Sequence, residues 1–350
     1  MIPLFLIAAV TAPDSGTKAN AAREAGRFDD AVRLYRQAVA AAPSWAEGWW
    51  YLGTIYYDRN QYPACRDTFR RFVALDAKAA PGFAMLGLCE FQTREVTPAR
   101  LHLEKAMSLG LPAGQQLTQV AQYHLMALQT KAGNFERALQ IAALLAQTSE
   151  GQTPDVIAVT GIAALRRAIF PQELPAEDRE LAFKMGRALL LVAERRARDA
   201  KTLFEEIVAT YPTVPNVQYV YGLFLLASEP DRGAEELEKE LKLQPDHLPA
   251  LVALSAELLK RRDAAAAVPY AERAVRLAPN NFAARATLGR ILVELNRVDA
   301  GIRELQYAVK LAPESAQVHF SLASAYAKAG LTAEAARERA EFARLRQSSP

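Results

Sequence analysis

One spacing, 34 residues, runs through most of this 350-residue chain. Small residues mark it at Ala31, Cys65, Ala99, Ala138, Ala200, Ala234, Ala267, Gly301 and Ala335. Their successive separations are 34, 34, 39, 62, 34, 33, 34 and 34. Other residue types keep the same step: Gly53 to Gly87, Ser255 to Gly289, and Pro245, Pro279 and Pro313. A fixed period of this length means stacked copies of one supersecondary unit. Such a unit cannot bury its own apolar face and relies on its neighbours.

The residues inside one period say what the unit is. Trp49, Leu52 and Tyr56 stand at i, i+3 and i+7, which is one face of a helix. Gly53, beside them, lets another helix approach closely. Ala31, Tyr35 and Ala38 form the same stripe on a second helix. Pro43, Pro212, Pro279 and Pro313 come after such second helices and stop them, since proline cannot continue a helix. Turn residues, such as Gly26-Arg27-Phe28-Asp29 and Gly133-Asn134-Phe135, separate the two helices of a pair. The expected fold is therefore all-α, a solenoid of antiparallel helix pairs. Nine units fit the register: 12–45, 46–79, 80–113, 119–152, 181–214, 215–247, 248–281, 282–315 and 316–349.

The pattern Trp49-x-x-Leu52-Gly53-x-x-Tyr56, then Cys65-x-x-x-Phe69, resembles the tetratricopeptide repeat. So do Leu288-Gly289-x-x-Leu292 with Gly301-x-x-x-Leu305-x-x-Ala308-x-x-x-x-Pro313, and Ala31-x-x-x-Tyr35-x-x-Ala38-x-x-x-x-Pro43. The resemblance covers nearly the whole chain. It implies helix pairs stacked in a right-handed superhelix whose first helices line an inner groove for partner peptides.

The 62-residue step leaves 28 residues between the fourth and fifth units, about 153–180. Asp155 to Ala168 can form one more helix, while Pro171 and Pro175 interrupt the chain beyond it. The segment reads as a degenerate unit that lost its second helix; a hinge, or a piece folded onto a neighbouring surface, is the alternative. The chain is thereby divided into four parts. Residues 1–11 are an apolar N-terminus, 12–152 a first block of repeats, 153–180 an irregular insertion, and 181–350 a second block. Polar residues Asp14, Lys18, Asn20 and Arg23 at one end, and Arg337, Arg339, Glu341, Arg344 and Arg346 at the other, read as solvent-facing caps. The array so read leaves no room for a separate catalytic domain.

Residues 1–10, with no preceding Lys or Arg and with Pro13 after the small-x-small site, form an imperfect secretory signal. Exported (periplasmic) and cytoplasmic locations are both open. No later segment reads as an integral membrane span.

Chemistry is sparse. There is no G-x-x-x-x-G-K, G-x-G-x-x-G, H-E-x-x-H, C-x-x-C or G-x-S-x-G. The four histidines, His102, His124, His247 and His319, are far apart, which speaks against a histidine metal site. No catalytic residue, cofactor or metal is expected. The formal charge of +3 is too near neutral to suggest a nucleic-acid groove. Cys65 and Cys89 are expected as small buried apolar residues. Facing helices could bring them together, and pairing cannot be decided from sequence.

By the resemblance, fifth, ninth and twelfth positions of each unit face the groove. The partner-groove candidates there are Trp50, Tyr57, Phe91, Tyr123, Tyr219, Arg290 and Phe320. The N-terminal patch of Trp50, Tyr57, Phe91 and Tyr123 leads among them. Carboxylate-binding members of the family carry Lys and Asn at fifth and ninth positions, a pair this chain lacks. An apolar, aromatic-bearing groove suits a protein partner presenting an amphipathic helix or an extended apolar segment. The chain therefore reads as a non-catalytic protein–protein interaction scaffold. A regulatory or assembly subunit of a larger enzyme complex is the alternative, and an RNA-binding helical repeat is disfavoured by the charge. The insertion 153–180 or the apolar N-terminus could instead fill the groove.

Overall fold

The computed structural model describes residues 13–348; the apolar N-terminal run expected at 1–11 lies outside them. Among the described residues there are nineteen α-helices and no strand. They run as α1 (Asp14–Glu24), α2 (Phe28–Ala41), α3 (Ala46–Asp58), α4 (Tyr62–Leu75), α5 (Ala80–Gln92), α6 (Val96–Leu109), α7 (Gln116–Lys131), α8 (Phe135–Leu145), α9 (Pro154–Ala164) and α10 (Arg179–Ala193). Then come α11 (Ala197–Thr210), α12 (Val217–Leu225), α13 (Pro230–Leu243), α14 (Leu248–Lys260), α15 (Ala264–Leu277), α16 (Phe282–Glu294), α17 (Val298–Leu311), α18 (Ala316–Lys328) and α19 (Thr332–Ser348). From α1 to α10, and again from α12 to α19, successive helices pack as adjacent pairs and each pair packs on the next, an all-α solenoid arrangement within each stretch. No described helix is long and apolar enough to cross a membrane. The chain divides into two compact units, residues up to Leu203 and residues from Phe204, the division falling inside α11.

The turn inside each pair explains the regularity. Asn60 has φ +56°. Its N–H bonds the Tyr57 carbonyl, and the next N–H, from Gln61, bonds Tyr56. That is a Schellman closure, which satisfies carbonyls the helix end would leave open. The same left-handed residue recurs at Gly26, Arg94, Gly133, Arg166, Arg195, Arg262, Asn296 and Gly330. Six of the nine positions are Asn or Arg rather than Gly, so the geometry recurs at more turns than glycine alone would mark.

Small residues set the distance within each pair. A methyl placed on Gly87 would lie 3.1 Å from the Ala99 carbonyl oxygen, and one on Gly289 3.0 Å from that of Gly301. In α12 and α13 the matching contact is Gly222 to the Gly233 carbonyl, 3.0 Å. The period marker in this unit is therefore Gly233, not the neighbouring Ala234. Four residues further on, Leu237 is fully buried while Glu238 is exposed, as this shift requires. The 33-residue step thus removes a residue from the turn between α12 and α13, the turn that lacks a left-handed residue.

The insertion obeys the same logic up to a point. Beyond α9, Arg166 makes the usual left-handed turn, with the Arg167 N–H on the Ile162 carbonyl. No second helix comes after it. Two short 3₁₀ turns, Pro171–Glu173 and Ala176–Asp178, take its place, because Pro171 and Pro175 withhold the donors a helix needs. α10 then packs directly on α9. A methyl on Gly161 would sit 1.7 Å from the Ala182 carbonyl oxygen, and one on Gly186 1.9 Å from that of Ile157.

A further bond joins neighbouring pairs. The proline after a second helix leaves its carbonyl open, and a side chain six residues later donates to it. Trp49 Nε1 reaches Pro43 at 2.8 Å, Thr118 Oγ1 reaches Pro112 at 2.6 Å and Gln218 Nε2 reaches Pro212 at 3.1 Å. Arg285 Nε reaches Pro279 at 2.6 Å and His319 Nε2 reaches Pro313 at 2.9 Å.

Two substitutions test this account in opposite directions. Gly161→Ala must force two backbones apart and should destabilise the chain by about 3 kcal/mol or more in urea unfolding. Arg94→Gly relieves a left-handed residue and should stabilise it by up to about 1 kcal/mol in the same measurement.

Candidate functional site

In the N-terminal unit, the four aromatic candidates are half-buried by the chain's own side chains. The Trp50 ring lies 5.5 Å from Phe69 and 5.4 Å from Phe72, both on α4. Tyr57 meets the edge of Tyr62 at 5.8 Å, also on α4, and burial raises its phenol pKa above the ordinary value. Trp50 and Tyr57 thus pack inside their own pair. Phe91 and Tyr123 are brought together around His124, with ring centroids 4.7 and 5.1 Å from it. These are edge-on contacts, the favoured geometry for such rings. His124 Nδ1 donates to the Val120 carbonyl at 2.8 Å, and burial holds the imidazole pKa below its usual value.

The insertion reaches this cluster at Phe91. Phe170 meets Phe91 edge-on at 5.9 Å and packs against the core that contains Leu88 and Ala127. The Lys131 ammonium, at the end of α7, stands 5.4 Å from the Phe170 ring centroid. It also donates to both Glu173 carboxylate oxygens, at 3.1 and 2.8 Å. The Phe170 N–H donates back to Glu173 at 2.8 Å. The hydrogen bond from Lys131 is the main reason the Glu173 carboxyl stays below the usual carboxylate range. Arg167 pairs with Asp178 across the two 3₁₀ turns. The ninth and twelfth positions beneath, Leu88, Ala127 and Thr130, are buried. Sequence reasoning named the insertion but not Phe170, Glu173 or Lys131. The available signal was an aromatic residue set beside prolines, three residues before a carboxylate.

The C-terminal unit differs. Tyr219 is half-buried, its ring 4.7 Å from His247 and its N–H on Glu240 at 3.2 Å. Arg290 is exposed. Phe320 is 48% exposed, touching only the Phe342 ring at 5.4 Å among aromatic groups of the described residues. Leu223, at the ninth position of α12's unit, is 40% exposed. Val252, Leu259, Ala286 and Val293 fill in between, each half-buried.

Cys65 and Cys89 correct one expectation. They are joined as a disulfide, with Cα atoms 6.0 Å apart, rather than serving as two independent apolar residues. The contact of α4 with α5 brings them together. Beside them, the buried carboxylate of Glu90 accepts from Arg70 at 3.1 Å and bonds His102 Nδ1 at 2.6 Å. This cluster keeps a buried charge paired. Away from the inner positions, Trp49, Tyr56, Arg36 and Asp67 help line a cleft of about 480 Å³ among α2, α3 and α4.

The tetratricopeptide repeat family matches residues 17–82 and 286–350 in one of its profiles and 258–306 in another. This chain is a tetratricopeptide-repeat protein. No curated protein matches it. Among solved structures, MamA from residue 41 to its end, from Desulfovibrio magneticus RS-1, is 24% identical, covering 47% of this chain and 94% of that one with a TM-score of 0.44. YrrB, whose structure is described as that of a tetratricopeptide-repeat protein with an unusual peptide-binding site, is 18% identical. It covers 50% of this chain and 90% of its own, with a TM-score of 0.41. In the register of these tetratricopeptide repeats, the Phe91–His124–Tyr123 cluster belongs to the third and fourth units, and Arg290 and Phe320 to the last two.

His124 makes stability depend on pH. Burial favours its neutral form, so its folded pKa lies below the unfolded value of about 6.5. The unfolded chain then binds the extra proton first, and the neutral ring's stabilisation is complete above that value. It is lost as pH falls from there through the folded pKa. Urea unfolding at pH 7.5 and 5.5 should show a larger loss for the wild type than for His124→Gln.

Proposed function

We propose that this tetratricopeptide-repeat protein is a scaffold without catalytic chemistry of its own, and that the inner positions of its C-terminal unit receive a partner segment. The observation that carries this reading is the exposure of Leu223 and Phe320 at 40% and 48%, with exposed Arg290 on α16 between their helices in chain order. Apolar side chains of this size left open on first helices are the usual material of an interface core. Arg290 has no ion-pair partner among the described residues and is suited to a carboxylate. The fitting partner is an amphipathic helix or extended segment, apolar on one side and carrying an acidic residue. The formal charge of +3 counts against nucleic acid. The Cys65–Cys89 disulfide favours an oxidising compartment and so the exported alternative.

The test uses affinity capture from the native host with the full chain as bait, identified by mass spectrometry. A partner captured by the wild type should bind Leu223→Asp/Phe320→Asp at least about tenfold more weakly, as expected when interface anchors are lost. The helical circular-dichroism signal should not change, because both side chains are exposed. Equal affinity of the variant for that partner removes this face from the reading.

A further inference from the structure

The inner cluster of the N-terminal unit already holds an occupant, and the occupant is a piece of this chain. From Ile169 to Asp178 the backbone runs through two 3₁₀ turns held by local hydrogen bonds: Ile169 to Arg167, Glu173 to Phe170, Leu174 to Pro171 and Asp178 to Pro175. What fixes the segment to α5 and α7 is side-chain chemistry. One aromatic ring lies against Phe91, and one carboxylate, three residues on, pairs with Lys131. Lys131 also faces the ring, so a single cation reads both features. Leu174, at the end of the first turn, is only 5% exposed.

The ion pair is half-exposed on both sides, at 32% and 43%, and such pairs hold weakly. The prolines restrict the segment to extended and turn conformations, which are those of a bound linear peptide. A segment of this kind, anchored by its side chains and folded locally along its own backbone, is bound as a ligand is bound. It differs in being tethered, which supplies an effective concentration on the order of millimolar.

We propose that the segment around Phe170–Leu174 is an internal occupant of a second peptide site, formed by Phe91 and Lys131, with His124 and Tyr123 packed behind Phe91. The partner that displaces it is an extended segment with an aromatic residue and, three residues later, a carboxylate. The proposal rests on the reading of the chain as a peptide-binding scaffold, but places a distinct, self-covered site on the other unit.

The test measures fluorescence anisotropy of a labelled nine-residue peptide with the sequence of residues 167–175, added to the full chain. Wild type should bind it weakly, because the tethered copy competes. Phe170→Ala/Glu173→Gln, which frees the site, should bind at least about tenfold more tightly. Adding Lys131→Ala to that variant, or replacing the peptide's Phe by Ala, should abolish the gain. The idea fails if the opened variant, with unchanged circular dichroism, binds no better than wild type, or binds the Ala peptide equally well. Should that double variant not fold, Glu173→Gln alone changes a half-exposed side chain and should still give a several-fold gain; no gain overturns the proposal. Repeating the titration in the Leu223→Asp/Phe320→Asp background separates the two sites, since peptide binding should be unaltered there. Failure here leaves the C-terminal face standing, and failure of that face leaves this result readable.

Discussion

The contact on which the rest of the structure depends is the near-touching of two helix backbones at one small residue. Gly87 against Ala99, Gly222 against Gly233 and Gly289 against Gly301 leave no room for a larger side chain. That closeness lets large neighbours such as Phe69, Leu103 and Leu305 become fully buried. It also fixes the length of the turn between the helices, and so the period. Across the insertion the same constraint acts between different partners. With no second helix after α9, Gly161 and Gly186 bring α10 directly onto it, so the stack continues through the gap.

Repetition of a backbone geometry does not require repetition of a side chain. The proline carbonyl between pairs accepts from Trp49, Thr118, Gln218, Arg285 and His319 in turn. The acceptor is always the same, because proline stops the second helix and leaves its own carbonyl open. Any donor long enough to reach back six residues satisfies it. These prolines are exposed, and six residues after Pro245 stands the buried, apolar Leu251, so the bond recurs without being required and the position is free in identity. A search by residue type passes over such a position.

That distinction decides how much the sequence reveals. The period, the paired helices and the small-residue contacts are legible because each rests on a residue class recurring at fixed spacing. The marker at Ala234 is one residue out because two adjacent small residues, Gly233 and Ala234, look alike until Leu237 is seen buried. Pairing of Cys65 with Cys89 is not legible, since it depends on how α4 meets α5 rather than on sequence distance. The positions of Trp50 and Phe320 in the repeat are equally clear, yet one ring packs on Phe69 and Phe72 while the other is half open. Position in a repeat fixes a direction; its neighbours fix exposure.

The two units also resolve the same physical problem differently. A tetratricopeptide inner face made of aromatic and aliphatic side chains leaves apolar area in water, at about 25 cal/mol per Å². In the N-terminal unit, a segment spared from helix formation by its prolines supplies Phe170 to reduce that area. Its removal exposes apolar surface, which is why the proposed displacing partner carries an equivalent ring and an equivalent carboxylate for Lys131. In the C-terminal unit, Phe320 and Leu223 carry the exposure without such a cover, and the exposed Arg290 keeps the face wet. A self-covered face discriminates harder, because a partner must better the tethered copy before it binds at all. An open face binds whatever complements it. On the two proposals, one chain holds two thresholds for association, set by whether a single short stretch between α9 and α10 could continue as helix.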